Sequence, residues 1–242
     1  MKKETSQLLK EVGLNTLLSI AIFAVVLLFL FLIGQEENIK NIAIASGLIG
    51  SAYVLIIRNP NNYFGFVLGI ISSILLGIQF YQVQSPDLPF LYFFVFIPCQ
   101  FITLYTWIHG NRNKENAAPF NPSFLSLVPF LLVTGLFFVL FFADLLIVRL
   151  VFHDTQTLAI QVMSALVVAS SILANFLIIK KKTDTWYYWV IFSISGVILN
   201  ILYQDYVTLT LFVVYTVINF NACLVWIKKT PKENYGWLKG KN

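Results

Sequence analysis

Charge is scarce in this chain, and the scarcity decides its class. Only 11% of its 242 residues are Asp, Glu, Lys or Arg, whereas a soluble domain has about 25%. Hydrophobic residues make up 58%, and the mean hydropathy is +0.80. No soluble core could hide so much apolar surface, so the composition predicts an all-α integral membrane protein. The net charge of +5 does not imply nucleic-acid binding, and we expect none.

The sequence also lacks the groups that enzyme chemistry needs. Cys99 and Cys223 lie in apolar runs, so we expect two reduced thiols rather than a disulfide. No Walker-type glycine-rich loop and no metal-ligand spacing occur, so we expect neither ATP hydrolysis, nor a metal, nor a cofactor. A lipid-modifying enzyme would need an acid–base pair or a metal cluster near one interface, and we find neither. No carboxylate lies deep in a helix, which argues against proton or sodium coupling.

Eight segments are apolar and close to the length that spans a bilayer. Lys2, Lys3 and Lys10 precede the first, as in a signal peptide, but no small-residue cleavage site follows it, so we expect a retained helix. The eight predicted spans are 13–33, 41–57, 63–82, 89–108, 123–147, 157–179, 186–203 and 206–227.

The placement of charge predicts the orientation. Fourteen of the sixteen Lys and Arg residues lie in the two termini and in alternate loops, and the other loops hold acids. By the positive-inside rule, both termini should be cytoplasmic. The outer-loop acids are Glu36, Glu37, Asp87, Asp154 and Asp205; the inner loops include Arg58, Arg112 with Lys114, and Lys180 to Lys182. Trp107, Trp186 and Trp226 fall at predicted interface ends, as aromatic belts do.

A weak internal repeat relates the two halves. When Trp107 is aligned with Trp226, Gln100 falls on Asn219. The repeat predicts two parallel three-helix repeats joined by a linker helix, plus an extra N-terminal helix, with the binding site between the repeats. The predicted divisions are 1–40 (tail and extra helix), 41–109 (first repeat), 110–156 (loop and linker helix), 157–227 (second repeat) and 228–242 (cytoplasmic tail).

One helical face combines aromatic and polar side chains. Trp189, Ser193, Gly196 and Asn200 follow at steps of four, three and four, and Trp186 lies one turn before them. The indoles lie near the start of the predicted span and the polar groups lie further along it. This arrangement suits a flat, partly polar aromatic ligand. The pattern therefore favours a ligand path through the membrane.

These motifs resemble the PnuC family of bacterial vitamin transporters. Trp186-x-x-Trp189-x3-Ser193, Asn221-x4-Trp226 and Pro98-x-Gln100-x6-Trp107 carry the resemblance, which covers roughly residues 41–228. It implies a SWEET-like fold in the bacterial inner membrane and facilitated uptake of nicotinamide riboside, which phosphorylation would trap in the cytoplasm. Related branches carry thiamine, riboflavin or deoxynucleosides. Ser193 stands where the family usually has Asn or Asp, so another substrate, thiamine first, stays open.

The expected partners are a small-molecule substrate and membrane lipid, and a homo-oligomer is possible. The predicted substrate-binding residues are Gln100, Trp186, Trp189, Ser193, Asn200, Tyr215, Asn219 and Asn221.

Several of these residues also have structural interpretations. Trp186 alone would fit an interface anchor. Gln100 and Asn219 would fit an interhelical hydrogen bond to each other, in which case the protein could be a scaffold that transports nothing. Asn221 lies two residues from Asn219 and so points to another side of the helix.

Two further patterns favour structural roles. Gly65, Gly69, Ser73 and Gly77 form a stripe of small residues that predicts close helix packing. Asp144 and Arg149 lie near a helix end, where we expect them to snorkel to the outer interface.

Overall fold

Helices account for nearly all of the described chain. The computed structural model describes residues 2–32, 41–59, 62–82, 85–112, 122–153 and 155–238. Helix α4 begins at Leu88–Phe90, passes through π-helical turns over Leu91–Phe96 and continues over Ile97–Arg112. The other helices are α1 (Lys2–Leu32), α2 (Asn41–Ile57), α3 (Gly65–Gln82), α5 (Leu127–Leu150), α6 (Leu158–Ile179), α7 (Thr185–Tyr203) and α8 (Tyr206–Lys229).

The lengths of these helices confirm the multi-pass membrane class. Seven of the eight are long and apolar enough to cross a bilayer. The eighth, α2, has 17 residues, and most of them are buried between neighbouring helices. The predicted loop residues Glu36, Glu37, Lys114 and Asp154 lie outside the described residues.

Two helices begin at residues that differ from the starts of the predicted spans. Helix α1 begins at Lys2 rather than near residue 13, so its first turns are polar. Helix α5 begins at Leu127 rather than at residue 123, because Pro129 is tolerated only in the first turn of a helix. Residues just before α5 instead hydrogen-bond the turn between α6 and α7, through the Thr183 amide and the Ser123 carbonyl at 2.9 Å.

The helices pack in a reciprocal pattern. Helices α2, α3 and α4 pack in series, as do α6, α7 and α8. Between the two predicted repeats, α2 packs on α8 and α4 packs on α6. Helix α1 lies on α2 and helix α5 lies on α6, so the extra N-terminal helix and the linker helix contact equivalent partners.

Each end of the bundle carries contacts between the predicted repeats. At the basic end, which holds Arg58 and Lys181, the Trp226 indole donates to the Arg58 carbonyl at 3.0 Å, and the Trp107 indole donates to the Ile178 carbonyl at 3.3 Å.

At the acidic end, which holds Asp87 and Asp205, Ser164 donates to Asp87 at 2.6 Å and Gln79 donates to Asp205 at 3.4 Å. Two parallel repeats would make paired contacts of this kind.

Proline accounts for the irregular turns of α4. Pro98 lies two residues after Phe96, the last residue of the π-helical segment. Proline has no N–H to donate, and its ring clashes with the carbonyl four residues earlier. The wider turns over Leu91–Phe96 relieve that clash, and the Ile97 amide donates to the Tyr92 carbonyl, five residues back.

Candidate functional site

A buried cavity lies between the two predicted repeats. Helices α2, α3 and α4 line one side, and α7 and α8 line the other. Every residue that lines it is buried. The lining consists of Tyr53, Val54, Ile57, Gly69, Ser72, Ser73, Leu76, Tyr92, Phe96, Trp186, Trp189, Phe192, Tyr215 and Asn219.

Aromatic rings dominate this lining and form a connected cluster. Phe96 of α4 meets Trp189 of α7 edge-on, with ring centroids 5.8 Å apart. Trp189 meets Phe192 in the same way at 5.3 Å. Near the basic end, the Trp186 ring lies 5.7 Å from that of Trp226. The cavity therefore offers flat apolar walls from both predicted repeats.

Three of the residues that line the cavity have a polar atom without a described hydrogen-bond partner. The indole Nε1 atoms of Trp186 and Trp189 and the hydroxyl of Tyr92 are buried and make no hydrogen bond with any described residue. Among the residues that the structure describes, no Asp, Glu, Lys, Arg or His side chain lines the cavity. Buried polar groups are nearly always hydrogen-bonded, so unpaired ones in a cavity point to a ligand. The walls suit an aromatic ligand that accepts hydrogen bonds.

The cavity is closed in this conformation. Its volume is about 30 Å³, which is room for about two water molecules. A small-molecule ligand needs a few hundred Å³. The helices that line the cavity must therefore move apart before a ligand of nucleoside size can enter.

Two predicted amides stand beside the cavity with different partners. The Asn219 side chain lines it and donates to the Trp189 carbonyl at 3.0 Å. Gln100 is fully buried and donates through Nε2 to the Tyr53 hydroxyl at 2.8 Å, while its Oε1 has no described partner. The alternative of a direct bond between Gln100 and Asn219 is wrong.

Four of the eight predicted residues line the cavity: Trp186, Trp189, Tyr215 and Asn219. Gln100 adjoins it through Tyr53. The structure places the other three elsewhere.

Ser193 is fully buried and donates to the Val190 carbonyl of its own helix at 3.1 Å. Asn200 is buried and donates to the Gly196 carbonyl at 2.7 Å. Asn221 is exposed and accepts a hydrogen bond of 3.1 Å from Arg58.

Helix packing explains why the predicted α7 face leaves the cavity. A Cβ atom at Gly196 would lie 2.0 Å from the Phe212 ring, so α7 and α8 touch there. Phe192 is the last residue of α7 that lines the cavity. Beyond it, the side chains of α8 pack directly against α7. The structure also confirms the packing role of Gly65, Gly69 and Gly77, each of which has a neighbouring side chain within 3 Å of where a Cβ would stand.

Four residues that were predicted to lie at membrane interfaces are buried inside the helix bundle: Trp107, Trp186, Trp226 and Asp144. Trp107, Trp186 and Trp226 are fully buried rather than exposed to the headgroup region, because each indole packs into the bundle. Asp144 is buried within the last two turns of α5 and faces Asp87 of the acidic end, so it is near the predicted end of the bundle but does not extend to the surface. Its neighbour Arg149 donates to Gln161 at 2.9 Å.

The sequence reasoning missed several cavity residues. Tyr53, Tyr92, Phe96 and Phe192 sit in apolar runs, where an aromatic residue has the pattern of ordinary core. The repeat alignment indicated that the third helix of each repeat contributes to the site. It gave no reason to select a tyrosine earlier in the third helix of the first repeat. For Tyr92, the nearby Pro98 was the available signal, because a proline inside a span marks an irregular helix.

Comparison with known proteins identifies the family. The sequence profile described as nicotinamide mononucleotide transporter matches residues 40–228, which is most of the chain. The chain belongs to the nicotinamide mononucleotide transporter family. The crystal structure of the vitamin B3 transporter PnuC is similar over 92% of each chain, with a TM-score of 0.71 and 18% identity. A comparison with curated proteins finds no match.

Membership of the nicotinamide mononucleotide transporter family confirms the resemblance to PnuC. It also confirms that the chain is a membrane transporter rather than an enzyme. At 18% identity, the PnuC structure shows the shared fold of eight helices.

Proposed function

We propose that the chain carries nicotinamide riboside across the bacterial inner membrane by facilitated diffusion. The aromatic cavity between the predicted repeats supports this most directly. It presents two indole N–H donors and a tyrosine hydroxyl that no described residue pairs. A nicotinamide ring is flat, and its carboxamide both accepts and donates hydrogen bonds. Such a ring would pair these groups and lie against the aromatic walls.

The charge of the cavity favours the riboside over the mononucleotide. Nicotinamide riboside carries a positive charge on its pyridinium ring, and the faces of Trp186 and Trp189 attract cations. The mononucleotide adds a phosphate, for which proteins use Arg, Lys or a helix N-terminus. No basic side chain of the described part of the chain lines the cavity. The riboside is therefore the proposed substrate, even though the family description names the mononucleotide.

A preference for the riboside over the mononucleotide would allow the cell to accumulate the vitamin by passive flow. A cytoplasmic kinase that phosphorylates the riboside would convert it into a mononucleotide, which the uncharged cavity does not accommodate. Uptake could then continue down the gradient of the free riboside. Trapping by phosphorylation thus follows from the proposed specificity and needs no coupled ion.

Transport would require the two ends of the bundle to open in turn. The Trp226–Arg58 and Trp107–Ile178 hydrogen bonds join the predicted repeats at the basic end. The Ser164–Asp87 and Gln79–Asp205 hydrogen bonds join them at the acidic end. Rocking of one repeat against the other would break one set while keeping the other, as in other transporters built from repeats.

We propose that the basic end faces the cytoplasm, with both termini on that side. Arg58, Lys181 and Lys229 lie together there, and the positive-inside rule assigns such an end to the cytoplasm. Labelling of a tag after Asn242 in intact cells tests this. The tag should be reached only after permeabilisation, and labelling in intact cells would contradict the orientation.

Thiamine is the second candidate substrate. It is also a flat aromatic cation, and Ser193 stands where the family usually has Asn or Asp. It lacks the carboxamide that would pair the indole donors, which is why we rank it second.

A binding panel in detergent tests the substrate assignment. A ligand that binds the folded state raises the apparent melting temperature. Nicotinamide riboside should raise it at micromolar to millimolar concentration, and nicotinamide mononucleotide should not. A shift with the mononucleotide equal to that with the riboside would contradict the charge argument. A shift with thiamine alone would assign the protein to the second candidate.

A further inference from the structure

Tyr92 differs from the other tyrosines of the cavity. It is fully buried, and its hydroxyl has no hydrogen-bond partner among the described residues. The Tyr53 hydroxyl accepts from Gln100 at 2.8 Å, and the Tyr215 hydroxyl is hydrogen-bonded to Ser72. Of the three tyrosines that line the cavity, only Tyr92 thus offers an unpaired hydroxyl.

Packing fixes the direction of that hydroxyl. The Tyr92 ring stacks on Phe80 with a centroid distance of 5.6 Å and an interplanar angle of 5°. Phe96 contacts it from the other end of the π-helical segment at 4.8 Å. An unpaired buried hydroxyl lowers the stability of a protein, and phenylalanine would fill the same space without one. A polar group held in such a place calls for a partner that is not part of the chain.

The local backbone is unusual at the same position. Tyr92 lies in the π-helical turns of α4, and both Tyr92 and Phe96 line the cavity. Turns of this kind occur frequently at functional sites. In the alignment that pairs Gln100 with Asn219, Tyr92 corresponds to Leu211, which lies in the regular α-helix of α8. The second predicted repeat therefore has no equivalent hydroxyl.

We infer that the Tyr92 hydroxyl hydrogen-bonds the carboxamide of the bound nicotinamide ring and sets the preference for amide-bearing ligands. This rests on the proposed function. Tyr92 contacts Phe96, and Phe96 contacts Trp189, so the hydroxyl belongs to the aromatic cluster against which the ring would lie. Indole N–H groups only donate, whereas a hydroxyl donates and accepts. Indoles and hydroxyl together can pair both the oxygen and the NH₂ of a carboxamide.

The test compares two ligands on two variants. N-ribosylpyridinium has the ring charge and ribose of nicotinamide riboside but no carboxamide. Tyr92→Phe removes only the hydroxyl. Tyr188→Phe is the matched control, because Tyr188 is a buried tyrosine of α7 that lies outside the cavity lining and hydrogen-bonds Thr134. Titration calorimetry gives the dissociation constants, and thermal unfolding without ligand gives the stability.

Tyr92→Phe should weaken the binding of nicotinamide riboside by about tenfold and leave that of N-ribosylpyridinium unchanged. Its melting temperature without ligand should equal or exceed that of the wild type, because an unpaired buried hydroxyl has gone. Tyr188→Phe should bind both ligands like the wild type and should melt at a lower temperature.

Three results would overturn the inference while the proposed function stands: unchanged riboside affinity in Tyr92→Phe, an equal loss for both ligands, or a lower melting temperature of ligand-free Tyr92→Phe. The last would show that the hydroxyl has a partner inside the protein. Wild-type protein that binds neither compound would overturn the proposed function and this inference with it.

Discussion

The Trp226 indole donates a hydrogen bond of 3.0 Å to the backbone carbonyl of Arg58, and so ties the end of α8 to the end of α2. Trp107 makes the corresponding bond to the Ile178 carbonyl, between α4 and α6. Each bond joins the third helix of one predicted repeat to the first helix of the other. Both tryptophans are buried, so the two bonds hold the basic end closed from inside the bundle.

Replacing either tryptophan by phenylalanine should destabilise the protein to a similar extent. The change removes one buried hydrogen bond from a backbone carbonyl, and such a bond contributes about 0.5–1.5 kcal/mol. Thermal unfolding of Trp107→Phe and Trp226→Phe in detergent measures this. Phe142→Leu, at a lipid-facing position of α5, is the control and should unfold like the wild type. A loss in only one of the two tryptophan variants would contradict the reciprocal arrangement.

Gly50 controls the position of a cavity tyrosine. A Cβ atom there would lie 1.8 Å from the Tyr215 hydroxyl and 2.7 Å from Ser72 Oγ, so Gly50→Ala must displace them. We expect a loss of about 1–3 kcal/mol in stability from overpacking, and weaker riboside binding because Tyr215 lines the cavity. Gly135→Ala is the matched control, since nothing lies within 4 Å of a Cβ at that exposed position. Unchanged riboside affinity in Gly50→Ala would exclude Tyr215 from the site.

Ser193 tests whether the difference from the family pattern matters. The residue is fully buried and outside the cavity lining, so Ser193→Asn should overpack α7 and lower stability by about 1–3 kcal/mol. The order of affinities for riboside and thiamine should stay the same, and Ser193→Ala, which adds no volume, should keep it too. If the wild type ignores the riboside and Ser193→Asn binds it, Ser193 sets specificity and the proposed substrate is wrong.

Hydrophobic length and charge placement were sufficient to predict the number and order of the helices. A helix needs about twenty apolar residues to span a bilayer, so the lengths of the apolar segments fix how many helices the chain can form. The differences lie at polar margins: at Lys2, where a helix continues beyond the predicted span, and before Leu127, where Ser123 pairs with Lys182 of the α6–α7 turn.

The site was only partly predictable, for reasons of geometry. Trp189 and Asn219 were found because indoles and amides are conspicuous in apolar helices. Ser193 and Asn200 share the face of Trp189, yet neither lines the cavity, and Gly196 between them packs against Phe212. Tyr92 could not be found by periodicity, because the π-helical turns over Leu91–Phe96 alter the spacing on which that reasoning depends.

Asp144 provides the sharpest test of passive flow. It is the buried carboxyl group within the described part of α5, and its Oδ2 atom has no described partner. Because it does not line the cavity, riboside uptake into vesicles should neither follow an imposed proton gradient nor change in Asp144→Asn. Concentrative uptake that a proton gradient drives and that Asp144→Asn abolishes would show coupling and contradict the passive account.

Riboside flux through purified protein tests the central claim most directly. In the absence of a membrane potential, vesicles that contain the wild type should take up labelled nicotinamide riboside faster than empty vesicles, and uptake should stop when the inside and outside concentrations are equal. Stacking on an aromatic ring contributes about 1–3 kcal/mol in nucleic-acid sites, so Trp189→Ala should lower the initial rate at low substrate by about tenfold or more. Phe142→Leu should transport like the wild type. Wild-type flux no faster than that of empty vesicles, or full flux through folded Trp189→Ala, would contradict the account.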